Sequence, residues 1–154
     1  MVITTRFELA VPVDAAWTYL LDVEKIASCV PGASLTGVID DKTYAGKIEV
    51  RLGPIAVSYK GRITLESVDA TSHTVRIKGE GAEDRGRGGA TATMTAQLEA
   101  NGPATNVVMN TDLAVSGIVA QFGRSTIMQE VAQRMTQRFA SCVEQQLKAA
   151  TPAS

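Results

Sequence analysis

The sequence is poor in the residues that build metal centres, nucleophilic triads and disulfide frameworks. Its 154 residues include two cysteines, Cys29 and Cys142, and one histidine, His73. The cysteines form no CxxC pair and lie far apart in the sequence, so we expect two free thiols. His73 falls in a predicted turn, and we expect it to be exposed. The sequence therefore assigns no catalytic residue and no metal ligand.

An excess of charge of one sign and a long apolar run are also missing. Fifteen Lys and Arg residues stand against 16 Asp and Glu residues, for a formal net charge of −1. A surface that binds nucleic acid needs a clustered basic excess, so we exclude that class of partner. No apolar run approaches the roughly 18 residues of a membrane span, and the N-terminus lacks a signal-peptide pattern. We therefore expect a cytoplasmic protein.

Two periodicities divide the rest of the chain. Residues Val2 to Val11 alternate as in a strand that Pro12 ends, and two short helical runs follow, up to Ser28. Apolar and polar residues alternate again from Ala33 to Val115, which predicts about six strands of an antiparallel meander. From Ile118 to Ala149 the apolar residues recur mostly every three or four positions, which predicts one helix of about 48 Å.

This order of elements predicts an α+β helix-grip fold. In that fold a curved antiparallel sheet wraps around a long C-terminal helix, and here two short helices follow the first strand. We assign residues 1–150 to one domain and residues 151–154 to a loose C-terminal tail, because no repeat, linker or low-complexity tract divides the chain.

The predicted interior contains little side-chain volume. The inward row of one strand is Ala90, Ala92, Met94 and Ala96, and only 5% of the residues are aromatic. Small inward residues leave either a cavity between sheet and helix or a helix that packs closer to the sheet. Residue patterning favours neither alternative over the other.

The glycine cluster from Gly86 to Gly89 does not have the pattern of a phosphate-binding loop. No Lys-Ser/Thr pair follows it, and strands lie on both sides. We interpret it as a hairpin turn or bulge. Solvation of its charges, Arg85 and Arg87, is favoured over the alternative, contact with an acidic partner. The acidic neighbours Glu83 and Asp84 lack the apolar setting that separates the pKa values of a catalytic pair.

An ordered set of short motifs resembles the CoxG family of carbon monoxide dehydrogenase subunits, within the START-like (SRPBCC) superfamily. The set extends over nearly the whole chain, and its most characteristic member is Cys29-Val30-Pro31-Gly32-Ala33. The other members are Pro12 to Trp17, Leu21-Asp22, Tyr44 to Lys47, Val50 to Pro54, Tyr59 to Gly61, Gly79 to Gly81, Gly86 to Ala90, Val115 to Gly117 and Gln121 to Gly123.

The resemblance implies a non-enzymatic accessory protein. Such a protein would bind a quinone or lipid between sheet and helix, with no covalently bound cofactor. It would recruit a molybdenum hydroxylase of the carbon monoxide dehydrogenase type to the membrane, or deliver quinone to it, with peripheral contact at the inner face. Some members carry a C-terminal membrane-contacting segment; this sequence stops at Ser154, so the resemblance implies cavity binding but does not extend to anchoring through such a tail.

Nine residues form the predicted ligand site. The wall is assigned to Met94, Leu98, Leu113, Val115, Ile118 and Phe122, and the mouth to Val30, Pro31 and Gly117. Two other functions stay open. One is a protein-interaction module with a filled core that docks on the oxidoreductase through the loops around Pro31 and Gly86. The other is an enzyme, since relatives in the superfamily include cyclases and hydrolases; it is the least supported, because no acid-base set is present.

Overall fold

The helices and strands follow the predicted order. A computed structural model describes residues 1–122 and 126–150. Within these residues the elements are β1 Val2–Leu9, α1 Val13–Leu20, α2 Val23–Ala27, β2 Ala33–Val38, β3 Thr43–Leu52, β4 Ile55–Asp69, β5 Thr74–Glu83, β6 Gly89–Asn101, β7 Ala104–Val115, a 3₁₀ helix Gly117–Phe122 and α3 Thr126–Ala150. The predicted tail, 151–154, lies outside the described residues.

The seven strands form one antiparallel, curved sheet in the order β1-β7-β6-β5-β4-β3-β2. From β2 to β7 each strand pairs with its neighbour in sequence, as in a meander. The exception is β1, which pairs along its whole length with β7, from Val2 opposite Asp112 to Leu9 opposite Thr105. The predicted helix-grip architecture is confirmed.

The turn between β5 and β6 is a hairpin, as predicted, and it also contacts the start of the 3₁₀ helix. Gly88 and Gly117 both have positive φ, 123° and 78°. A Cβ on Gly88 would overlap the carbonyl oxygen of Ser116, and one on Gly117 would overlap that of Arg87. The amide of Ile118 donates to Arg87 O at 3.0 Å. Glycine is required at both positions because two backbone segments meet there.

The C-terminal helix differs from the prediction at its beginning. The sequence predicts one continuous helix from Ile118, but a 3₁₀ helix occupies Gly117–Phe122 and α3 begins at Thr126. The contact of the turn at Arg87 with the amide of Ile118 sets this first segment apart. No helix in the described part of the chain is long and apolar enough to cross a membrane.

The C-terminal half of α3 covers a tightly filled interior, which we call the packed cluster. It joins α1, β1 and the far ends of β6 and β7 around Leu9, Leu98, Val107, Val143 and Leu147, whose exposed fractions are 0, 2, 1, 0 and 7%. Trp17 belongs to the same cluster at 9% exposure, as its apolar helix face predicts. This cluster fixes α3 on the sheet.

The prediction of two free thiols is wrong, because Cys29 and Cys142 form a disulfide with a Cα–Cα distance of 5.4 Å. The bond joins the end of α2 to the C-terminal half of α3, and both residues belong to or pack against the packed cluster. Nothing in the local sequence indicates the pairing, since the residues are 113 positions apart. The C-terminal half of α3 passes beside the segment that follows α2, where Gln146 also donates to the Ser28 hydroxyl at 3.3 Å.

His73 is also less exposed than predicted. It does lie in the β4–β5 turn, with φ 51°, but it is half-buried. Its ring meets that of Trp17 edge-on, with 5.2 Å between centroids. The physical reason is that the turn folds back over α1, so the imidazole covers part of the indole.

Candidate functional site

A cavity of about 420 Å³ lies between the sheet and the N-terminal half of α3. Strands β3 to β7 form its floor, and α3 and the 3₁₀ helix cover it. Its volume falls in the range of about 300–1,000 Å³ that is usual for small-molecule sites. Of the two alternatives for the underfilled interior, the structure therefore contains the cavity and not a closer helix.

Small residues on neighbouring strands create the floor of the cavity. Gly46, Gly61, Gly81 and Ala90 lie opposite one another across β3, β4, β5 and β6. In the adjacent row Gly79 lies opposite Ala92. All six line the cavity. Rows of glycine and alanine remove the side chains that would otherwise fill the space between sheet and helix.

Larger apolar residues surround this floor. Leu52, Val57, Tyr59, Val119 and Met128 are buried together at one end of the cavity and all line it. Additional apolar walls come from α3, from strands β2 to β7 and from α2 and the segment after it: Ala27, Val30, Leu35, Ile48, Val50, Ile63, Ile77, Met94, Leu113, Val115, Val131, Ala132 and Met135. The cavity is therefore suited to an apolar molecule.

Few polar side chains border the cavity. Ser34, Lys47, Arg62 and Glu80 do so, but all four are exposed to solvent. Tyr59 differs, because it is only 9% exposed and its hydroxyl has no hydrogen-bond partner among the described residues. Burial raises the pKa of Tyr59, and the nearby Glu83 carboxylate raises it further.

Next to Tyr59 lies an ion pair between Glu83, which is buried, and Arg87, which is half-buried. The Glu83 side chain is 1% exposed, and its Oε1 accepts hydrogen bonds from Arg87 Nε at 2.9 Å and from the amides of Arg85 and Arg87. Arg87 also donates to Glu83 Oε2 and to the carbonyl of Ala56. Hydrogen bonding by Arg87 lowers the pKa of Glu83 from 4.5 to about 2.

The expected solvation of Arg87 is therefore wrong, since its guanidinium is bound within the chain. Glu83 is buried, but its setting is this ion pair and the amides of Arg85 and Arg87, not an apolar one. The spacing of the two residues, four positions apart across the predicted turn, was the available signal. Arg85 is exposed, as predicted.

The structure brings together four of the nine predicted site residues. Val30, Met94, Leu113 and Val115 line the cavity. Leu98 does not, because it lies farther along β6 in the packed cluster. Pro31, Gly117 and Ile118 are not among the lining residues; Ile118 packs beside the cavity wall, and Gly117 faces the β5–β6 turn. The side chain of Phe122 lies outside the described residues. Ligand binding by any of the nine stays a prediction.

The sequence interpretation missed the glycines, Tyr59 and the α3 residues of the wall. A glycine has no inward or outward side chain, so alternation cannot place it until the strand register is known. Tyr59 did carry a signal, since it alternates with Ile55 and Val57. In the described part of the chain no cluster of three or more His, Cys, Asp or Glu residues could hold a metal ion.

Comparison with solved structures shows the same architecture. The chain superimposes on a conserved protein from Geobacillus kaustophilus with a TM-score of 0.84 and 19% identity, covering 97% of each chain. A START superfamily protein from Mycobacterium smegmatis gives 0.64 and 11%, covering 97% of this chain and 99% of the other. The ZhuI aromatase/cyclase from Streptomyces sp. R1128 gives 0.67 and 13%, covering 99% and 96%.

These likenesses, together with the sheet, the long helix and the cavity between them, show a START-like helix-grip fold. A search among curated protein sequences found no match. The model of one family, the carbon monoxide dehydrogenase subunit CoxG, matches residues 6–148. The chain belongs to this family, which confirms the resemblance seen in its motifs.

Proposed function

We propose that this protein is a non-enzymatic carrier that binds a quinone or similar neutral lipid in the cavity. It serves a molybdenum oxidoreductase of the carbon monoxide dehydrogenase type, meeting the membrane peripherally at its inner face. The family name supports the association with that enzyme. The observation that carries the proposal is the apolar cavity of about 420 Å³, whose floor consists of glycine and alanine.

Binding in this cavity would be driven by burial of apolar surface. Each Å² of apolar ligand surface removed from water contributes about 25 cal/mol, less the cost of ordering the ligand. A quinone ring with an isoprenoid tail is largely apolar and carries no charge. It therefore leaves no charged group to be desolvated among residues such as Met94, Val131 and Met135.

Direct detection of the ligand is the first experiment. Native mass spectrometry of the purified protein, followed by organic extraction, would find a quinone or lipid in stoichiometric amount. If none is retained, the protein should take up an added short-tailed quinone. Failure on both counts would contradict the carrier function and favour a protein-interaction module.

Filling the cavity is the second experiment. Ala92→Phe places a ring over the floor and should weaken quinone uptake by about tenfold or more, which is about 1.4 kcal/mol. Gly79→Leu is an independent filling variant, because a Cβ on Gly79 meets no atom within 4 Å. Thr91→Phe, on the exposed face of the same strand, is the matched control and should bind as the wild type does. Unchanged uptake in both filling variants would place the ligand elsewhere.

The interaction module with a filled core has less support. Its docking surface would be the loops around Pro31 and Gly86, but the guanidinium of Arg87 is held by Glu83. A pull-down of the oxidoreductase that depends on Arg85 and not on Ala92→Phe would favour it. The cyclase among the similar structures shares the fold at 13% identity, and this likeness carries no argument for catalysis.

A further inference from the structure

The disulfide lies next to one wall of the cavity. This wall consists of residues 27–35, which run from the end of α2 into β2 and which we call the wall segment. Cys29 belongs to the segment, and residues that line the cavity lie on both sides of it: Ala27, Val30, Ala33, Ser34 and Leu35. The bond that links α2 to the packed cluster is therefore also a cross-link of the cavity wall.

The wall segment is attached to two different elements. Towards β3, the amide of Glu49 donates to the carbonyl of Gly32 at 3.0 Å, and Gly32 has a φ of 80°, which suits a bend. Towards α3, Cys29 is bonded to Cys142, and Gln146 donates to the hydroxyl of the preceding serine at 3.3 Å. The covalent attachment to α3 is the one that a redox reaction can remove.

The two cysteines differ in their access to solvent. Cys29 is 4% exposed and lies within the packed cluster. Cys142 is half-buried and borders a surface groove on α3 together with Arg134, Arg138 and Gln145. Nearby positive charge favours the thiolate form of an approaching thiol, which is the form that attacks a disulfide. A reductant therefore reaches the bond from the Cys142 side.

We propose that the Cys29–Cys142 disulfide is a redox-controlled latch on the cavity wall, which low-molecular-weight thiols open at Cys142. Opening frees the wall segment from α3 and speeds the entry and release of the ligand. This inference rests on the carrier function proposed above and adds its regulation. The proposed place of work, the inner face of the membrane, contains thiol reductants, and disulfides there are typically transient or redox-sensing.

Two exchange steps open the latch. A thiolate attacks the Cys142 sulfur, which forms a mixed disulfide and breaks the bond to Cys29, whose thiolate takes up a proton from water. A second thiolate attacks the reductant's sulfur in the mixed disulfide, and Cys142 leaves as a thiolate and is protonated. Overall the protein disulfide gains two electrons and two protons, while two thiol molecules become one disulfide.

Reduction changes what holds the wall segment in place. Two thiols cannot approach as closely as two bonded sulfurs, and the closely packed surroundings of Cys29 leave little room for the difference, so the segment and α3 separate. The remaining contacts with α3 are non-covalent and can open and close, with Gly32 as the hinge. The helix itself stays on the sheet through Leu9, Val107 and Val143.

The test measures the release of N-phenyl-1-naphthylamine, a neutral fluorescent probe that thiols do not modify. Reduction of the wild type with dithiothreitol should speed its release by about tenfold, measured by stopped-flow dilution. Cys142→Ala should release the probe equally fast with and without dithiothreitol. Leu98→Ala is the matched control, because Leu98 belongs to the packed cluster and not to the wall segment. It should release the probe within about twofold of the oxidised wild type.

Two further measurements locate the change in the folded protein. On reduction, amide hydrogen exchange should become faster in residues 27–35 and stay unchanged in β6. Alkylation during reduction by glutathione, followed by peptide mass spectrometry, should find glutathione on Cys142 and the alkyl group on Cys29.

Equal release rates from the oxidised and reduced wild type would overturn the latch and leave the carrier function intact. Release from Leu98→Ala as fast as from the reduced protein would also overturn it, since general loosening would then explain the effect. Glutathione found on Cys29 would overturn the opening at Cys142. An oxidised wild type that binds neither this probe nor an added quinone would refute the carrier function, and the latch with it.

Discussion

The two halves of α3 cover two different interiors. Beneath the C-terminal half, the row Leu98, Val107 and Phe7 crosses β6, β7 and β1 and is closely packed. Beneath the N-terminal half, the corresponding row in the cavity contains Gly79, Ala92 and Leu113. Leu98 and Ala92 lie six residues apart on the same face of one strand.

One continuous sheet therefore anchors α3 at one end and leaves it over a void at the other. The packed cluster supplies the buried apolar surface that holds the helix. The small residues of the other end can therefore leave space without loss of the fold. The packed interior and the cavity lie in separate parts of the same sheet, so variants in the two parts should differ in their effect on stability.

The largest effect should come from removing the cross-link of the packed cluster. Cys29→Ala combined with Cys142→Ala frees a segment of more than a hundred residues, since the cysteines are 113 positions apart. We expect a loss of about 4 kcal/mol in the free energy of unfolding, measured by urea denaturation. A reducing agent should weaken the wild type similarly and leave the double variant unchanged. A double variant as stable as the wild type would show that the bond adds nothing to this cluster.

The next largest effect is a difference in stability between alanine variants at two positions on one face of β6. Leu98→Ala, in the packed cluster, should lower the free energy of unfolding by about 3 kcal/mol because it opens a new void. Met94→Ala, four residues away on the cavity wall, should cost about 1 kcal/mol because part of its surface already faces empty space. Urea denaturation measures the free energy of unfolding of each variant. Equal losses would mean that the two interiors are equally well packed.

The last effect is limited to acid pH and concerns the end of β5, beside the cavity. The folded-state pKa of Glu83, about 2, lies below its ordinary value of 4.5. Its carboxylate therefore contributes stability above about pH 4.5, and this contribution is lost as the pH falls toward 2. Thermal unfolding between pH 6 and 2.5 should show a gap between wild type and Glu83→Gln that closes over this interval.

Asp84→Asn, which changes the next and exposed carboxylate, is the control for the acid effect. Its unfolding temperature should follow that of the wild type across the interval. A gap between wild type and Glu83→Gln that stays constant down to pH 2.5 would contradict the assignment of the low pKa to Glu83.

The sequence predicted the fold well because alternation and helical period are local properties. The strands, the two short helices and the inward face of Ala90, Ala92 and Met94 all follow from them. These local patterns do not predict the position along a strand at which the interior changes from packed to hollow. Leu98 has the same parity as Met94, and only the course of α3 assigns them to different regions.

Pairings between distant segments could not be predicted for a similar reason. The contact of Cys29 with Cys142 depends on where α3 passes the segment that follows α2, and the glycine row depends on the register of β3, β4 and β5. The Glu83–Arg87 pair depends on the shape of one hairpin turn. Each of these is decided by tertiary geometry and leaves little periodicity in the sequence.

The pairing of β1 with β7 has a consequence for how the chain is made. Val2–Leu9 leaves the ribosome before the rest of the sheet, yet its partner, Ala104–Val115, emerges about a hundred residues later. Strands β2 to β7 can form as successive hairpins while synthesis continues, whereas β1 must wait. The earliest strand of the sheet to be translated is therefore the last to enter it, and α3, which packs against that strand, follows only afterwards.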